Sequence, residues 1–215
     1  MCLWQQAGLV ALTSNITKLQ PSKDHMIWEE WGRLTRFHES ARLAFAREER
    51  LWNELQLSNA DSATVLIQSG DRTYQVSVGQ HRSAIADEQL LGASVLLYSY
   101  ALAEAAVEEV LGSGATEKGG IENWSEDLLK KAGNSWNSVE GGKAGVVETA
   151  IVRNAIAHGV TSYTQSDVNR ILQVGGAPAW KAMDSLQLDY DSILEYRKCL
   201  KSLLRCGKVR AQGSA

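Results

Sequence analysis

In the stretch IVRNAIAHGV, Ile151 to Val160, an arginine, an asparagine and a histidine are interleaved with small apolar residues. Histidine titrates near neutrality and can carry a proton in either direction. Arginine stays charged and grips a phosphate at two points. Asparagine positions a hydroxyl or holds an imidazole in one tautomer. Together these types suit cleavage of a phosphodiester in RNA, in which a 2′-hydroxyl is deprotonated and attacks the adjacent phosphorus while charge builds on the phosphoryl oxygens. No metal is needed for that reaction. The ordinary use of the same residues is as partners of a helix C-terminal dipole, or as members of a structural polar network.

Helix geometry decides how the three relate. Residues four apart differ by about 40° around the axis, so Asn154 and His158 share a face. Arg153 lies about 100° back from Asn154, and its long stem can swing the guanidinium toward that face. Gly159 follows at the position where helices end in a left-handed residue, which places the imidazole at the helix end beside unpaired carbonyls.

The elements that must position this stretch are mostly helical. From about Lys23 to Leu57, apolar residues recur at three- and four-residue steps, among them Ile27, Trp31, Leu34, Phe45 and Trp52. Trp28, Trp31 and Trp52 offer stacking surfaces for nucleic acid, but aromatic stripes at helical spacing are usually core. The period then changes. Ala63–Gln68 and Thr73–Val78 read as two strands joined by Ser69-Gly70-Asp71-Arg72, a hairpin that must lean on neighbouring helices.

A long helical pattern begins near Ser83 and ends at Gly112-Ser113-Gly114. Its middle, Ala93 to Ala106, is rich in Ala, Leu and Tyr, as in the central helix of a bundle or a helix shared with a second chain. Glu104 stands out there. The amphipathic pattern points it to solvent; the alternative is an arginine across the bundle. Further helices are expected after an N-cap at Ser125, from about Gly142 to His158, after an N-cap at Ser166, and from about Asp189 to Cys206. The fold class read from these patterns is mainly α, an up-and-down helical bundle with an N-terminal helical segment and a small β-hairpin. Residues 1–82 form an accessory region, 83–206 the bundle and 207–215 a tail.

The 215 residues, with 44% hydrophobic and 22% charged content and only Pro21 and Pro178 as prolines, describe an ordinary folded chain. A net charge of −3 excludes a general nucleic-acid coat but permits a local basic patch. Arg197, Lys198, Lys201, Arg205, Lys208 and Arg210 form such a run, either a solvated helix face or a surface for RNA. Cys2, Cys199 and Cys206 show neither disulfide nor zinc spacing. The N-terminal run MCLWQQAGLVALTSN lacks the basic start and cleavage site of a signal peptide, and no segment reaches the roughly 18 unbroken apolar residues of a membrane span. A cytoplasmic chain with reduced thiols and no membrane association is the expectation. GSGATEKGG and VEGGKAG lack the spacing of a phosphate-binding loop, and no zinc-protease or nucleophile-elbow motif is present. His25, His38 and His81 lie in polar or mixed surroundings or a surface turn.

The string RNAIAHG, Arg153 to Gly159, resembles the signature of the HEPN superfamily: an arginine, a polar residue, and a histidine after four to six intervening positions. Ala155, Ile156, Ala157 and Gly159 also match the common form. The resemblance extends loosely over residues 83–206. It implies a metal-independent endoribonuclease that leaves a 2′,3′-cyclic phosphate, needs no cofactor, and works as a homodimer in which two motifs meet across one cleft. Arg153 would hold the scissile phosphate, His158 would be the acid or base, and Asn154 would orient one of them. Toxins and antiviral effectors are typical of such proteins, so a toxin–antitoxin or defence partner is implied. One subgroup carries a tyrosine two positions after the histidine; here that position is Val160, with Tyr163 out of register, which argues against the tyrosine-modified system. The rival reading is a non-catalytic module that keeps the bundle and serves as a dimerisation or binding scaffold.

Overall fold

The computed structural model describes residues 26–55 and 63–209. The expectations that fall on Cys2, Pro21, His25, Arg210 and the N-terminal apolar run lie outside these residues. Within them the chain is mainly helical, a bundle with one two-stranded antiparallel hairpin.

α1, Met26–Glu54, carries the tryptophan stripe; Trp31 is buried, while Trp28 and Trp52 are half-buried. β1, Thr64–Ser69, pairs with β2, Arg72–Ser77, in a register that sets Ser69 opposite Arg72 around the Gly70-Asp71 turn. Val78, expected to end the second strand, instead begins α2, Val78–Ile85. The cause is a capping box: Ser77 Oγ accepts from the Gln80 amide while the Gln80 side chain accepts from the Ser77 amide. The long pattern expected from Ser83 is therefore two helices, and α2 runs across residues 82 and 83. Asp87 caps the second, α3, Glu88–Leu111, by accepting from the Leu90 amide at 2.9 Å.

α3 is the centre of the bundle, packed by α1 and by the three helices α4, Gly120–Ala132, α5, Gly142–Ala157, and α7, Tyr190–Cys206. Among the described residues it is the helix long and apolar enough to cross a membrane by length and composition, with mean hydropathy 1.6 over its best window. Its packing on four sides accounts for that apolar character. α4 starts five residues before the expected cap: Ser125 is a buried mid-helix residue, because Ile121 and Trp124 ahead of it belong to the same core face. α6, Gln165–Gln173, is capped by Thr164 rather than Ser166, in a capping box with Asp167.

α5 lies close on α7. A Cβ on Gly145 would stand 2.9 Å from Cys199 Sγ, so only glycine lets the two backbones approach this far. Burial beside that seam pushes the Cys199 thiol up to about 11, leaving it a packing group rather than a nucleophile.

Two polar residues are inside, one of them expected on a surface run. Arg197, read as part of the basic run, is buried; its Nε donates to Ser99 Oγ at 2.9 Å and Nη2 to Thr35 Oγ1 at 2.9 Å. His38 is 2% exposed, its ring 5.3 Å from that of Tyr190. Both fall on the apolar stripes of their helices, which is why they are drawn in. His81 is half-buried on α2, edge-on to Trp52 and 3.7 Å from a Glu48 oxygen. Beyond α7, Val209 is buried and its carbonyl accepts from Trp28 Nε1 at 3.3 Å.

Candidate functional site

α5 passes from the core to the surface along its length. Val146, Val147, Ala150, Ile151 and Val152 enter the core, whereas Arg153, Asn154 and the residues after them emerge at the end of the helix. The end itself is a Schellman motif. His158 is the C-cap, with φ −100° and ψ 6°. Gly159 follows at φ 67°, its amide donating to the Ile156 carbonyl at 3.0 Å, and the Val160 amide donates to the Ala155 carbonyl at 2.8 Å. The glycine stop read from the sequence is thus formed, and it leaves His158 exposed at the tip.

Arg153 and Asn154 are brought together. Arg153 Nη1 donates to Asn154 Oδ1 at 3.0 Å, and the guanidinium carbon lies 4.9 Å from the centre of the Tyr100 ring. Glu104 answers the arginine across the bundle, Oε2 standing 3.7 Å from Nη2. The solvent-facing reading of Glu104 therefore gives way to the alternative, an arginine across the bundle. Burial pushes the Glu104 carboxyl above its ordinary range, a shift that Arg153 opposes and Glu108 reinforces. Burial likewise raises the Tyr100 hydroxyl, keeping it protonated. The His158 amide donates to the Asn154 carbonyl at 3.0 Å as part of the helix, but among the described residues no hydrogen bond joins the His158 imidazole to the side chain of Arg153 or Asn154 within one chain.

A second arginine, not singled out by sequence, stands near this seam. Arg170 of α6 makes a two-point contact with Glu122 of α4, Nε to Oε1 at 2.7 Å and Nη2 to Oε2 at 2.6 Å. Burial would raise the Glu122 carboxyl, but the bonds from Arg170 outweigh it and hold the group below its usual value. Arg170 carries no sequence motif; the capping box that starts α6 was its one local signal. Tyr163 is buried, stacked on Trp180 at 3.7 Å, with its hydroxyl 3.4 Å from that of Tyr196. It is part of the core and not a surface substitute for the tyrosine missing at Val160.

The arrangement can present one guanidinium, oriented by an amide and an aromatic face, on the helix that an exposed imidazole terminates. Such a pair can bind an anion and move a proton. What the fold defines is a mainly α bundle with a small hairpin. Comparison of the chain with models of known families, with curated proteins and with solved structures finds no match.

Proposed function

We propose that the protein is a metal-independent endoribonuclease of the HEPN type, acting in the cytoplasm as a homodimer and serving as a toxin or antiviral effector alongside a partner protein. The observation that carries this reading is the geometry of Arg153: its guanidinium is positioned by Asn154 and Tyr100 on the helix that His158 caps. In the reaction, the substrate's 2′-oxygen forms a bond to phosphorus and the bond from phosphorus to the 5′-oxygen breaks. The products are a 2′,3′-cyclic phosphate and a 5′-hydroxyl. One proton leaves the 2′-hydroxyl and one reaches the departing 5′-oxygen, and His158 carries one of them. Arg153 neutralises the charge on the phosphoryl oxygens, and Asn154 restrains the guanidinium. The dimer follows from the resemblance, since two copies supply both an acid and a base.

A second reading, a binding module without catalysis, is favoured by the Glu104–Arg153 pair, because an arginine already facing a carboxylate can be purely structural. The test is incubation of the full chain with RNA in excess chelator. The wild type should cut, and His158→Ala and Arg153→Ala should each lose about 100-fold or more. Cleavage retained in either folded variant overturns the site; an uncut RNA with folded wild type supports the binding module.

A further inference from the structure

The seam that holds Arg153 continues past it into a groove. Arg153 lies beside Glu104 and Tyr100, while Ile156, one turn later on α5, shares a groove with Ala93, two turns earlier on α3. The two helices therefore run antiparallel along this seam, and the groove opens roughly 5–10 Å from the guanidinium along the axis. That is about the distance by which a base stands off from its own phosphate.

The groove holds about 370 Å³ and has a definite chemistry. Ile156, Ala93 and Leu186 are among its apolar lining residues. Leu186 is fixed there by its amide, which donates to the Thr161 carbonyl at 3.0 Å. Val160, which follows the left-handed turn at Gly159, also lines the groove and is 40% exposed. Asp87 and Gln89, both exposed, also line it. Asp87 Oδ1 is taken by the Leu90 amide, and among the described residues no hydrogen bond engages Oδ2. Apolar walls closed by one unengaged carboxylate oxygen and one amide fit a flat heteroaromatic ring whose edge carries an N–H donor.

We infer that this groove receives a nucleobase bearing an exocyclic amino group, cytosine in the first instance, from the nucleotide whose phosphate lies on Arg153. The inference rests on the ribonuclease reading for the phosphate, and on the groove alone for the base. Asp87 Oδ2 accepts from the amine, as carboxylates do from cytosine N4. Uracil presents a carbonyl at that place and meets like charge. The site thus specifies a substrate class, RNA with an amino-bearing base beside the scissile phosphate.

Equilibrium binding to the full chain tests this, with cytidine 3′-monophosphate, uridine 3′-monophosphate, cytidine and inorganic phosphate as probes. The cytidine nucleotide should bind about fivefold or more tighter than the uridine nucleotide. Val160→Trp, a change at an exposed lining residue, should remove cytidine binding and leave inorganic phosphate unaffected. Asp87→Asn keeps a good helix cap but offers an amide donor, so it should erase or reverse the preference. Equal binding of the two nucleotides by wild type, or cytidine binding unchanged in Val160→Trp, overturns the proposal. Arg153→Ala reads the other half separately: if phosphate affinity and RNA cleavage survive it while cytidine still depends on Val160, the groove stands and the ribonuclease site fails.

Discussion

Arg153 serves three neighbours at once: the Asn154 amide, the Tyr100 ring and the Glu104 carboxylate. The first two hold the guanidinium still without consuming its charge, whereas Glu104 competes with any phosphate for it. Because the Glu104 carboxyl is raised by burial, it takes up a proton earlier on acidification than an ordinary glutamate. Phosphate binding through Arg153 should therefore strengthen as pH falls through that raised value. Glu104→Gln should tighten it about threefold at neutral pH, the scale of a partly exposed pair, and flatten the pH dependence. Titration with inorganic phosphate at several pH values measures both, and an unchanged profile would refute the competition. The types and spacing of Arg153, Asn154 and His158 were legible in the chain. Glu104 was visible as an odd residue, but its partner was not, since a pair 49 positions apart is created by packing. Arg197 was misread because a charged residue suggests solvent, although it sits on an apolar stripe with Ile193, Leu200 and Leu204; His38, read as lying in polar or mixed surroundings, sits on one with Trp31, Leu34 and Phe45.

The helices themselves follow local chemistry closely, and the errors lie at their starts. Gly159 was read as the stop of α5 because the left-handed residue there must lack a Cβ, and the Schellman bonds are present. Gly159→Ala should cost about 1–2 kcal/mol, all of it backbone strain, because an added Cβ at this position meets nothing within 4 Å. Urea unfolding at constant m-value checks this; a loss under a few tenths would mean that the helix end relaxes. Helix starts were harder, because Ser and Thr are plentiful and only one of several candidates wins. Ser125 lost to the core face formed by Ile121 and Trp124, and Ser166 lost to Thr164, whose reciprocal partner Asp167 stands at the third helical position. The box of Ser77 and Gln80 was equally readable but lay at the end of a β-branched run, which masked the switch from strand to helix.

Across the whole molecule, α1, α3 and α7 are joined by polar groups as well as apolar ones. Arg197 from α7 reaches Ser99 on α3 and Thr35 on α1, with the Trp31 ring 5.3 Å from its guanidinium carbon. His38 stands beside this network, facing Glu39 and Arg42 of its own helix, Glu88 of α3, and Arg197 and Tyr190 of α7. Its pKa is lowered by burial first, then by Arg197, so the folded chain binds its proton later on acidification than the unfolded chain. The sign follows: the stability His38 contributes is complete above about 6.5, and is lost as pH falls below it toward the folded value. Denaturant midpoints between pH 7.5 and 5.5 should decline in wild type and decline less in His38→Phe; parallel curves would exclude His38 as the source. The overall class, helices plus hairpin, came from periodicity and from turn and cap residues, while this three-helix junction depends on which stripes meet and could not be read from any one of them. The junction also orders events in time. Trp28 is tied to Val209, 181 residues away, and Trp31 lies under Arg197. On a ribosome adding about 5–20 residues per second, α1 must wait roughly ten to forty seconds for α7 and Val209 before its tryptophan face is sealed. During that interval the nascent chain displays an aromatic surface, so α1 is, among the described helices, the one on which a chaperone would have longest to act.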